Sequence, residues 1–210
     1  MIEETVNRAE GVPGRGVKKK SDLAKYRHLT VKEKEVMELV DIMPVEKWVE
    51  IEKEINRRSG LNPAVYDIRG IRITDFKNWS NRLCPAIRET EKGLQSICSV
   101  AHQNIAARAV KNRQTIIDEC DAGLMKFAVP IFVDDEFIGV AGGCGKLRGE
   151  GQVEKYLVHR TANLSEEVVE ELSGDIETLP EDKLESVIDY VEKTVTEIIR
   201  EFRADSSDEK

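Results

Sequence analysis

Aromatic residues are scarce: two Trp, four Tyr and five Phe make up 5% of the 210 residues, so any core must be largely aliphatic. There are four cysteines, too few for a disulfide scaffold in a chain of this length. Cys84, Cys98, Cys120 and Cys144 contain no CxxC pair, which excludes the usual zinc-ribbon and ferredoxin spacings. Long apolar runs are missing too; Phe127 to Val133 falls far short of the ~20 residues that span a bilayer. Met1-Ile2-Glu3-Glu4 does not start an apolar leader, so a cytoplasmic location is expected. There is no basic excess. Lys and Arg total 32 against 40 Asp and Glu, and the net charge of −8 argues against direct nucleic-acid binding. No Ser–His–Asp set and no nucleotide-binding glycine motif is present, so no enzymatic signal stands out, and the Gly139–Gly145 stretch reads as a strand-end turn.

The length suits one domain with flanking helices, or at most two small domains. Gly11, Pro13, Gly14 and Gly16 predict a mobile arm over residues 1–22, with helices over 23–60. Thr30-Val31-Lys32-Glu33 fits a capping box ahead of an apolar stripe at Val36, Leu39, Val40 and Met43. Pro44 then starts a second helix, which Ser59-Gly60 ends. Val65 to Thr74 reads as a hairpin with Tyr66, Ile68, Ile71 and Ile73 inward. From Leu94 a helix carries Ile97, Cys98, Ala101, Ile105 and Ala109 on one face. Strands are expected at 115–119, 127–133 and 137–141. Helices are expected at 150–164 and 165–172, followed by a capping box at Thr178–Glu181. Leu184, Val187, Val191, Val195, Ile198 and Phe202 then form an apolar seam, suited either to self-association or to packing on the chain's own domain. The order is that of an α+β module: an antiparallel sheet of about five strands with helices packed on it and helical extensions at both ends. The central domain is expected at 61–149, with C-terminal helices over 150–204 and a tail at 205–210.

Several segments together carry a family resemblance. Leu83-Cys84-Pro85-Ala86-Ile87-Arg88, Lys92-Gly93 and Cys98 come first, then Asp118-Glu119-Cys120-Asp121-Ala122-Gly123-Leu124. Phe127-Ala128-Val129-Pro130-Ile131, Gly139 and Gly142-Gly143 complete the set. Between Ile51 and Leu147 the chain resembles the PocR ligand-binding (sensory) domain, a family similar to PAS and GAF sensors in fold. The resemblance implies a small organic ligand and a role upstream of a kinase or a transcription regulator. No output domain is recognisable, so signalling through a protein partner or a homodimer is expected. Asp121, Ala101 and Cys144 depart from the residues common in the family at those places.

In a PAS- or GAF-like module the ligand lies between the sheet and its covering helices. The resemblance therefore implies a lining of Tyr66, Ile68, Trp79, Phe127, Val129 and Ile131, which would suit a small, weakly polar ligand. Cys84 stands at an expected helix N-terminus, where thiolate is favoured. Cys98 and His102 are four apart on one helix. If Cys84, Cys98, Cys120 and Cys144 converge, four thiolates would suit zinc or an iron–sulfur cluster, and three with His102 would suit zinc. Two function classes follow: a ligand- or redox-sensing regulatory domain, or a cysteine-ligated metal protein with an enzymatic or electron-transfer role.

Overall fold

Pro44 divides the first helices of the computed structural model, which describes residues 37–208. The expected arm and the Thr30–Glu33 capping box lie outside the described residues. α1 is a single turn, Leu39–Ile42, tied by the Glu38 amide donating to Asp41 Oδ2 at 2.8 Å. α2 runs Val45–Ser59 and stops at Gly60, whose φ of 66° is left-handed. β1 (Asn62–Asp67) follows, then α3 (Leu83–Glu89). α4 (Glu91–Gly93), π-helical turns at Leu94–Ser99 and α5 (Val100–Asn112) make one unbroken helical rod. β2 (Ile116–Glu119), β3 (Met125–Val133) and β4 (Glu136–Arg148) come next. The chain closes with α6 (Lys155–Ala162), α7 (Glu166–Ser173), β5 (Thr178–Leu179) and α8 (Glu181–Asp208).

The sheet has the order β1-β4-β3-β2, all antiparallel, and β5 pairs parallel with the end of β4. This is the expected α+β class with five strands, consistent with a PAS- or GAF-like module. Three local expectations change. The hairpin at 65–74 keeps only its first arm; β1 pairs with β4 instead, and a single bridge joins Tyr66 to Arg72. Asp67 Oδ1 accepts the amides of Arg69 and Ile71, which turns the chain outward and leaves Ile68 and Ile71 exposed. β4 runs straight through the glycine stretch read as a turn, because it is the central strand with backbone close on both sides. A Cβ on Gly142 would run into the Phe127 carbonyl, and one on Gly139 into the Tyr66 carbonyl. Thr178 does not cap α8; it belongs to β5, and the Pro180 carbonyl accepts the first amides of α8.

Alternation along the strands divides the sheet into two faces. Val65, Phe127, Val129, Ile131 and Ala141 face a core shared with Trp48, Ile51 and Ile55 of α2 and with α8. Leu184, Val187 and Val191 of α8 are fully buried there, and Val195 and Ile199 nearly so. The seam considered for self-association is therefore the inner face of the domain itself. The opposite sheet face meets Ile105 and Ala109 of α5 through Ile116, Ala128 and Val140. A third cluster joins Leu83, Ile87, Ile97, Leu124, Val158 and Val169 across α3, the π turns, α6 and α7.

Glu52 fastens α2 to the segment after β1. Its carboxylate is fully buried and accepts from the Val65 amide at 3.0 Å, Thr74 Oγ1 at 2.7 Å and Arg72 Nη2 at 3.1 Å. Among the described residues no helix is long and apolar enough to cross a membrane.

Candidate functional site

The strand register sets four side chains in one row on the sheet face under α5. Asn62 pairs with Cys144, Cys144 with Lys126, and Lys126 with Asp118. The next row on that face is Ala64, Gly142, Ala128 and Ile116. Three of those four are small, so α5 cannot fill the space above them. A cavity of about 20 Å³ results, lined among others by Asn62, Tyr66, His102, Lys126, Phe127 and Cys144. That volume holds about one water.

The polar groups around it are incompletely matched. Lys126 is 4% exposed, and among the described residues its side chain makes no hydrogen bond and no ion pair. Asn62 is 7% exposed, and its Oδ1 has no partner. Buried polar atoms are nearly always satisfied, so both mark a place where something else belongs. Burial lowers the Lys126 pKa, and four nearby thiols oppose that shift.

Tyr66 and His102 form one wall. Tyr66 Oη and His102 Nε2 share a 2.9 Å hydrogen bond, with ring centroids 4.4 Å apart. Burial, reinforced by the charges of Lys126 and Arg88, holds the imidazole well below its usual range, so His102 is neutral. Burial also pushes the Tyr66 phenol up. Beyond this pair lies a wider groove of about 440 Å³ lined by Ile68, Arg69, Gln103, Ala106 and Phe137. Tyr66, His102 and Val140 line both spaces, so the pair stands between inner cavity and outer groove.

The four cysteines are all free and half-buried. They gather around Lys126, close enough that Cys84, Cys98, Cys120 and Cys144 all act on its charge. The thiolate expected for Cys84 at the start of α3 is overridden. Burial and the neighbouring thiols push its pKa up, and only a 3.4 Å contact from Asn81 Nδ2 opposes them. Burial raises Cys98 and Cys120 as well. Among the described residues no group of three or more His, Cys, Asp or Glu is arranged to hold a metal ion.

Tyr66, His102 and Cys144 thus come together at the cavity, which Phe127 borders while its side chain packs in the core under α2 and α8, and Ile68 sits at the rim of the outer groove. Val129 and Ile131 point to the opposite face, into the core under α2 and α8. Trp79 lies outside both spaces, with the Arg88 guanidinium 5.7 Å from its ring centroid. Cys84, Cys98 and Cys120 pack against the third cluster. Lys126 and Asn62 escape a reading by apolar alternation. The one sequence signal for Lys126 is a charge inside the apolar stretch Leu124 to Val133.

A family model described as the sensory domain found in PocR matches residues 41–202. The chain belongs to the PocR sensory-domain family. No curated protein and no solved structure matches it. The PocR match runs from within α1 into α8, well beyond the Ile51–Leu147 stretch that carries the recognisable motifs. Both helical layers that sandwich the sheet are therefore part of what the PocR family shares.

Proposed function

We propose that this PocR domain is a regulatory module that senses a small molecule in the cavity between α5 and the sheet. One observation carries the reading: Asn62 Oδ1 is buried against that cavity without a partner, beside the buried Lys126 that also lines it. A ligand offering an acceptor and a donor would satisfy both. The covering rod supports a conformational readout, since its π turns at Leu94–Ser99 immediately precede His102, and π turns recur at functional sites. The signal then passes to a protein partner through the helices packed around the sheet. The gathered thiols do not favour redox sensing, because burial keeps Cys84, Cys98 and Cys120 in the weakly reactive thiol form.

The test is a thermal-shift screen of small organic molecules on the intact protein and on Ala64→Leu, which fills the cavity from the row beside Asn62. Ligands of this site raise the unfolding midpoint of the parent and lose that effect in the filled variant. Hits that stabilise both proteins equally would place the ligand elsewhere.

A further inference from the structure

One cation lines the PocR cavity, and a second lies outside its lining. Lys126 lines it directly. Arg88, from α3, acts electrostatically on Tyr66, Cys98 and His102, and among the described residues it makes no hydrogen bond and no ion pair. Its guanidinium only lies over the Trp79 ring. Five of the groups around them supply no counter-charge. His102 is neutral, and Tyr66, Cys84, Cys98 and Cys120 keep their protons at neutral pH. Asp118 shares the row with Lys126, but its carboxylate is half-exposed and paired with Arg108. This positive interior belongs to a chain whose net charge is −8, so the composition does not account for it.

A buried ammonium without a counter-charge is costly, and a bound anion removes that cost. Asn62 Oδ1 adds a second demand, for a donor. We propose that the cavity takes a small organic carboxylate that also carries a hydroxyl or amino group, its carboxylate on Lys126 and its donor on Asn62. This rests on the reading of the cavity as the ligand site. The register limits the ligand's size. Asn62 and Lys126 flank Cys144 in one row, two strand spacings or about 10 Å apart at Cα, and the lysine side chain covers much of that span. The closed cavity holds only about one water, so such a molecule is seated only when Tyr66 and His102 part and join it to the outer groove. The Tyr66–His102 hydrogen bond separates this spot from the outer groove, and its opening gives such a molecule a way in.

Thermal unfolding of the intact protein with lactate, set against lactamide and propane-1,2-diol, tests the charge with the carbon skeleton held constant. A carboxylate that binds raises the midpoint by about 5–10 °C at a hundred times its Kd. The uncharged analogues leave it unchanged. Lys126→Met abolishes the shift while keeping a midpoint at or above the parent's, which shows that it folds. Asn62→Ala weakens the apparent Kd about tenfold, the loss of one hydrogen bond. Equal shifts from charged and uncharged analogues, or a Lys126→Met protein that still responds, would overturn the proposal; so would a set of short-chain hydroxy- and aminocarboxylates that gives no shift at all. A diol whose shift is lost in Ala64→Leu would overturn the anion alone and leave the site standing. A carboxylate shift surviving both Lys126→Met and Ala64→Leu would overturn both.

Discussion

Replacing Lys126 with Met preserves most of the side chain's length and apolar volume and removes its charge. In the ligand-free protein that charge is 4% exposed and has no hydrogen bond or ion pair among the described residues. Replacing buried ionic groups by apolar ones of similar volume raises stability by about 1–4 kcal/mol. A gain of about 2 kcal/mol moves Tm by roughly 4–8 °C in a domain of this size. Lys126→Met is therefore expected to be more stable than the parent at neutral pH. The pH dependence has a definite sign. Burial lowers the Lys126 pKa from 10.5, so between the folded value and 10.5 the unfolded chain binds more protons than the folded one. Parent stability from this group therefore rises with pH across that window. The advantage of Lys126→Met is largest below the folded pKa and closes as the pH approaches 10.5. Urea unfolding of both proteins near neutral pH and again near 10.5 measures the two gaps. A Met variant less stable than the parent by more than about 1 kcal/mol, or a gap that stays constant with pH, would refute the reasoning, since either outcome means the ammonium is already compensated.

Tyr66→Phe removes the partner of His102 Nε2 and should cost about 1 kcal/mol in urea unfolding, with a larger loss if the wall collapses into the cavity. Leu184→Ala deletes a fully buried contact of α8 and should cost about 2–5 kcal/mol, with no change of molar mass by light scattering, because that face packs on its own sheet. Burial above all raises the Glu52 pKa over 4.5, so the folded protein holds this proton longer than the unfolded chain. The stability linked to it is present below pH 4.5 and is lost as the pH climbs through the folded value, and Glu52→Gln should flatten that component of the parent-minus-variant curve.

What the sequence made legible was local. α2 is bracketed by Pro44 and Gly60, so its extent needs no knowledge of the rest of the chain. α7 falls close to the helix expected at 165–172, and Ser165 caps it by accepting the Val168 amide at 3.3 Å. The glycines of β4 were misleading for the same reason. Consecutive glycines read as a turn when only their own flexibility is weighed, whereas here they let β1 and β3, remote in sequence, close on both edges of a central strand. The α8 seam was visible as an apolar stripe, but which surface it covers is set by the sheet it meets. The site divides along the same line. Tyr66, His102 and Cys144 were within reach of family resemblance and helix spacing. Phe127, Val129 and Ile131 share one face, but period two does not say which face has room, and theirs is the one packed under α2 and α8. Room comes from Ala64, Ala128 and Gly142, brought side by side only by the register of three strands. A lysine inside an apolar strand has an ordinary reading as an edge charge in solvent. Lys126 acquires its meaning from the central position of β3 and β4, the helix above them, and a side chain that forms no ion pair among the described residues.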